Sequence, residues 1–227
     1  MPTTSSLRPS RPMKLLPLLL AVAAIPAWAT GPEMIVNGSF ESPAYGATGV
    51  HPGGGDGWTQ SFLGHVSIIN GNIKDGGGHR YGRTEFGEQY LGLDPRFQFN
   101  PYSADSQTIP GFVAGHQYKL SLGVADSDGG LAPQLEVELS DDMGHDYFDK
   151  VFDVPVGGPY GTKIRFTRLH ALFRSPVTGP ITLSLRNVGT GADPGSISID
   201  RVSLVEVSDE EAQAQEPSRS SSFQPLD

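Results

Sequence analysis

The chain has 227 residues, 29 of them glycine and 19 proline, with no cysteine and a formal charge of −9 at pH 7. Without cysteine there is no disulfide framework, no thiolate zinc site and no cysteine nucleophile. The acidic surplus argues against nucleic acid as a partner, because that affinity comes from Lys and Arg neutralising phosphates.

Arg8, Arg11 and Lys14 precede an apolar run from Leu15 to Ile25, followed by Ala27-Trp28-Ala29. A basic start, a short hydrophobic middle and an Ala-x-Ala site read as a secretory signal peptide covering 1–29. The apolar run is about half the roughly 20 residues a membrane span needs, which disfavours an uncleaved anchor. Cleavage removes three basic residues and no acid, taking the charge from −9 to −12. The mature chain is expected to be secreted or periplasmic, in a bacterial setting, with no transmembrane segment.

Short runs separated by Gly, Pro, Asn and Asp follow, the pattern of an all-β sandwich or barrel. Met34–Val36 and Ser39–Glu41 open the series, then Val66–Ile69 and Gln89–Leu93. Tyr118, Leu120, Leu122 and Val124 alternate with polar or small residues, as do Leu135, Val137 and Leu139, and later Ile181, Leu183 and Leu185. These are half-buried antiparallel strands. Tyr147–Val154 predicts another. Lys163–Phe173 predicts one more, with a bulge where the apolar phase shifts from Ile164 and Phe166 to Leu169 and Phe173. In the last run the phase breaks again: Ile197 and Ile199 are odd, Val202 and Leu204 even. Strict alternation would drive Asp200 into the core, and an unpaired buried carboxylate costs several kcal/mol. A local bend at Asp200, with a cation beside it, is the expected resolution.

Two glycine-rich stretches, 51–57 and 75–82, and the aromatic stretch 96–103 read as loops, where binding residues tend to sit. One domain over 33–207 accounts for this series. The polar segment 208–227 is expected to be a disordered acidic, Ser-rich tail.

Several motifs recur in order: Asn37-Gly38-Ser39-Phe40-Glu41, Gly57-Trp58, Gln89-Tyr90-Leu91-Gly92-Leu93-Asp94, Ser106-Gln107-Thr108-Ile109, Ala114–Leu120, and Ile199-Asp200-Arg201-Val202-Ser203-Leu204. In that order they resemble the galactose-binding-like jelly-roll domains, above all the CenC-type carbohydrate-binding modules and related secreted cell-wall domains that open with "NGSFE". The resemblance implies a jelly-roll β-sandwich of two antiparallel sheets. It also implies a structural Ca²⁺ held near the chain ends by Glu41 and Asp200, with Ser39 beside them, an oxygen-only ligand set that suits calcium. Arg201 stands where a second Asp often follows in the family, which lowers the local negative charge.

Read from the residues alone, Glu41 and Asp200 could also be exposed strand-end acids. Asp126-Ser127-Asp128-Gly129 and Asp141–Asp146 read as polar turns, and His145 as a turn residue before a metal ligand. For sugar binding, flat rings that stack on pyranose faces and polar partners for hydroxyls point to Tyr81, Tyr90, Trp58, Arg83 and Tyr102. No Gly-x-Ser-x-Gly elbow, His-Glu-x-x-His or phosphate-binding glycine loop is present. The expected function is an exported, non-catalytic carbohydrate-binding module for a cell-wall or extracellular polysaccharide. The alternatives are a structural or adhesion module docking on a cell-surface protein, or a polysaccharide-active enzyme.

Overall fold

The computed structural model describes residues 31–46, 50–60, 65–71, 82–94, 103–126, 133–155, 163–189, 195–214 and 224–225. The segment read as a signal peptide lies outside them. In chain order the elements are β1 (Val50–Pro52), β2 (Thr59–Gln60), β3 (His65–Asn70), β4 (Gln89–Asp94), β5 (Ser103–Phe112), β6 (Gln117–Asp126), β7 (Gln134–Ser140), β8 (Asp146–Asp153), β9 (Thr167–Arg174), β10 (Gly179–Asn187), β11 (Ile197–Val207), α1 (Asp209–Ala214) and β12 (Gln224–Pro225). They form two antiparallel sheets, a seven-stranded one ordered β1-β3-β4-β11-β6-β9-β12 and a five-stranded one ordered β2-β5-β10-β7-β8. The protein is a jelly-roll β-sandwich: the alternation predicts its strands, and the resemblance implies the jelly roll.

The sheets meet over a core that includes Leu91, Leu93, Leu120, Leu122, Leu135, Val137, Leu183, Leu185 and Ile199. A smaller second layer of Ile69, Tyr90, Ala125, Ile164 and Phe166 lies on the opposite face of the seven-stranded sheet, each strand residue one position out of phase with a core neighbour. This layer explains the phase shift in Lys163–Phe173. No bulged strand runs through it: β9 starts only at Thr167, and residues 163–166 pass across the sheet's outer face before the chain enters the sheet. Ile164 and Phe166 therefore bury outward, and Leu169 and Phe173 inward.

Three further differences from the sequence expectation have physical causes. Residues 34–36 and 39–41 form no strand; Asn37 and Phe40 have φ of 52° and 58°, and the segment turns back on itself. The strand β5 was hidden because its inward positions Ser103, Asp105 and Gln107 are polar, so no apolar alternation marks it. The tail is ordered at its start. Ser208 caps α1, its Oγ accepting from Glu211 N at 3.1 Å, and Ala212 is buried. Asp209 also pairs with Arg174 of β9 at 2.8 Å.

Candidate functional site

The Asn37–Glu41 segment is built as a tight turn clamped to the last long strand. Asn37 Oδ1 accepts from Ser42 N at 3.0 Å, and its amide donates to the carbonyls of Ser42 and Asp56. Val202 N donates to Gly38 O at 2.9 Å. A Cβ on Gly38 would stand 1.9 Å from Val202 O, so the approach requires glycine. Phe40 is fully buried, which aims the following residue, Glu41, along the edge of the next segment. Glu41 Oε1 accepts from Glu88 N at 2.8 Å and Gln89 N at 3.0 Å. Its second oxygen has no hydrogen bond among the described residues.

Asp200 reaches the same segment from the other side. The register of β11 shifts between Asp200 and Ser203, and Arg201 takes a φ of 52°. This is the bend the sequence predicts. Before the shift Asp200 pairs with Gly123; after it Ser203 pairs with Ser121 and Leu204 with Leu120. Asp200 thus falls on the outward side of the sheet, not beside Val202 and Leu204 in the core. There it is completely covered all the same. Its Oδ2 accepts from Thr84 Oγ1 at 2.5 Å and its Oδ1 from Arg201 N at 2.7 Å. Burial pushes its pKa up to about 7 from 3.8, against those two hydrogen bonds, and the nearby Glu41 charge raises it further. The Arg201 charge acts the other way as the smallest of these effects, and its guanidinium stacks on Phe86, 4.2 Å from the ring centre.

The sequence brought Glu41 and Asp200 together on resemblance, and the geometry does bring them within electrostatic reach. Among the described residues no cluster of three or more His, Cys, Asp or Glu joins them. Two carboxylates and the Thr84 hydroxyl still make an oxygen-rich, covered setting of excess negative charge, which fits a hard divalent ion. Thr84 is a participant that sequence reasoning missed, since a single Thr before Glu85 carries no motif. Ser39 sits in the turn, and no hydrogen bond connects its side chain to either carboxylate among the described residues.

The proposed sugar platforms fare differently. Trp58 is 8% exposed; its ring packs 5.2 Å from Phe40 and its Nε1 donates to Asn37 O, so it is a core residue and not a stacking surface. Tyr90 does face away from Leu91, but Phe166 lies against it and its exposure is 0%. Both are corrections to the sequence reading, with different causes: Trp58 joins the main core beside Phe40, and Tyr90 is covered by the second layer that linear alternation does not reveal. Arg83 is exposed, and its carbonyl accepts from Ile164 N at 2.8 Å. Tyr81 and Tyr102 lie outside the described residues. His145 Nδ1 lies 2.9 Å from Asp141 Oδ2 in the β7–β8 turn, and that bond raises its pKa.

The outer face of the five-stranded sheet presents a different constellation. Thr108, Thr182 and Ser140 stand in one cross-strand row, Ser106, Ser184, Glu138 and Asp149 in the next, and Ala104, Arg186, Glu136 and Val151 in a third. Thr108 Oγ1 and Thr182 Oγ1 are 3.0 Å apart. Arg186 spans two acids, its Nη2 donating to Glu138 Oε2 at 2.5 Å and its Nε lying 2.7 Å from Glu136 Oε2 as an ion pair. Burial raises the Glu136 pKa, Arg186 opposes that, and Asp149, Glu138 and Asp146 add to it. The face is therefore a half-exposed array of hydroxyls, carboxylates and one guanidinium.

No family model matches the chain, and no curated protein matches it. Among solved structures it is similar to the enzymatically active domain of bacteriophage CBA120 tailspike protein 4, at 13% identity and a TM-score of 0.48 over 77% of this chain and 21% of that one. The chain therefore spans about a fifth of the tailspike's length. It is also similar to a family 16 carbohydrate-binding module, at 16% identity and a TM-score of 0.47 over 76% of this chain and 99% of the module. A third similar structure is TmCBM61 in complex with β-1,4-galactotriose, at 13% identity and a TM-score of 0.46 over 77% and 98% of the two chains.

Proposed function

We propose that the protein is an exported, non-catalytic carbohydrate-binding module whose Glu41–Asp200 pair takes a structural calcium. The observation that carries the binding reading is the outer face of the β2-β5-β10-β7-β8 sheet. Its three rows of Ser, Thr, Glu and Arg side chains offer donors and acceptors at the spacing of adjacent strands, the chemistry that recognises a ligand made of hydroxyl groups. Glu136 and Glu138 are both committed to Arg186, which suits holding hydroxyls more than delivering a proton. The motif order resembling CenC-type modules supports the same reading, and the basic-apolar-Ala-x-Ala start supports export. Calcium, when bound, supplies the positive charge that the covered Asp200 lacks. No helix of the described residues is long and apolar enough to cross a membrane.

The test is a glycan array followed by affinity electrophoresis in the neutral polysaccharide that scores best. Ser184→Ala, which removes one hydroxyl and leaves the ion pairs intact, should weaken retention a few-fold, and Arg186→Ala about tenfold or more. An array with no binding, or retention unchanged in both variants, overturns the reading and leaves the adhesion alternative.

A further inference from the structure

Charge is segregated between the two faces of the sandwich. Seven acids lie between Glu136 and Asp153 on β7, β8 and their turn. Every described lysine and arginine other than Lys150 and Arg186 belongs instead to the seven-stranded sheet or to the segments lying on it. The half of that sheet's outer face not covered by residues 163–166 holds the densest group. Ser121 of β6 pairs with His170 of β9 and with Ser203 of β11. Lys119 is two residues along the same strand face, opposite Leu172 and Val205, and Arg168 is opposite Gly123. Side chains on one sheet face lie about 5 Å apart across strands and roughly 7 Å apart along them. Lys119, His170 and Arg168 thus surround Ser121, with Ser203 across from it on β11.

Neither Lys119 nor Arg168 has an ion-pair partner among the described residues. Burial first, then the charges of Lys119 and Arg168, lower the pKa of His170, so both cations are felt at its ring. Glu33 bridges to Val205, opposite Lys119, but its carboxylate is already occupied by Ser203 Oγ at 2.5 Å and by the N–H groups of Leu204, Met34 and Ile35. Cations without an ion-pair partner among the described residues, set beside the Ser121 hydroxyl, call for a ligand bearing both anionic and hydroxyl groups. A protein partner would want an apolar centre to bury, and the large apolar side chains paired along Lys119 are only the half-buried Leu172 and Val205.

We propose that Lys119, Arg168 and His170, with Ser121 and Ser203, form a second glycan site, specific for the anionic groups of an acidic polysaccharide. The site is independent of the polar face on the five-stranded sheet, so either can fail alone. The overall charge of −9 does not forbid it, because screening over about 8 Å at physiological salt makes the local group decide the contact.

Affinity electrophoresis of the full chain in hyaluronate, which carries carboxylates, and in dextran sulfate, which carries sulfates, tests this against hydroxyethylcellulose as a neutral control. Retardation in at least one polyanion is expected. It should weaken at least about tenfold in the Lys119→Ala/Arg168→Ala variant, fade with added salt and persist in Ser184→Ala. The polymer that retards identifies the anionic group. Absence of retardation in both polyanions, or equal retardation of the double variant, overturns the proposal. So does concentration-dependent self-association by sedimentation velocity that the double variant abolishes without any polymer effect, since the partner would then be the acidic β7–β8 face of a second copy.

Discussion

Two aspartates of this sandwich are equally buried and yet pose different problems. Asp105 on β5 and Asp200 on β11 are both fully covered, and burial pushes both pKa values up to about 7. Among the described residues Asp105 has only Ser106 N on one oxygen, at 3.2 Å, and no hydrogen bond to the other. It packs under Gly54, where a Cβ would fall 1.7 Å from Oδ2. Asp200 has a hydroxyl, a backbone N–H and a second carboxylate, Glu41, close by. Glu41 in turn packs under Gly87, where a Cβ would fall 2.0 Å from Oε1. A lone buried acid is relieved by a proton. A buried acid beside another acid is relieved more fully by a divalent cation, which answers both charges at once. With equal pKa values, the two acids differ in whether a second carboxylate stands beside them.

Glycine replacement breaks the comparison most forcefully. Gly87→Ala meets Glu41 and must also hold a φ of 151°, so it should cost about 3 kcal/mol in a denaturant melt. Gly54→Ala has ordinary φ and meets only the Asp105 carboxylate, so about 1–2 kcal/mol is expected. Adding Asp105→Ala should recover most of the Gly54→Ala loss, whereas Glu41→Ala should recover little of the Gly87→Ala loss. Equal recovery in both pairs would mean that backbone strain at Gly87 is unimportant.

Calcium should separate the two acids next. At about 100 times its dissociation constant, a ligand that binds only the folded state stabilises by roughly 2.7 kcal/mol. Thermal melting should shift upward with calcium and revert with chelator, the shift vanishing in Asp200→Asn and surviving in Asp105→Asn. A shift that survives Asp200→Asn would move the ion elsewhere.

The smallest effect is on pH dependence. A carboxyl whose folded pKa is raised from 3.8 to about 7 binds more protons in the native state between those values. Its stabilising share is complete below about pH 4 and is lost as pH rises through about 7. With calcium present, Asp105→Asn should flatten this decline in melts between pH 4 and 8. An unchanged slope would show that Asp105 is not the group responsible.

How much was legible follows from where each side chain points. Leu120, Leu122, Leu135, Val137, Leu183 and Leu185 alternate because one side of each strand faces the opposing sheet, and that period is written locally. The bend at Asp200 was also legible, because the parity of Ile199 and Val202 cannot be satisfied without it. Tyr90 and Trp58 were misread as exposed rings. Tyr90 alternates as an outward residue should, and its burial depends on Phe166, 76 positions away. The cationic group was invisible for a similar reason: Lys119, His170 and Arg168 become neighbours only through the register of β6 and β9.

The sequence by itself determined the strands with apolar alternation and their phase breaks, since each of these is set by neighbours one or two residues away. Only the tertiary structure decided which outward faces stay open. Whether an outward side chain meets solvent, a covering segment or another charge depends on contacts between residues far apart in the chain, and burial and electrostatics act through space.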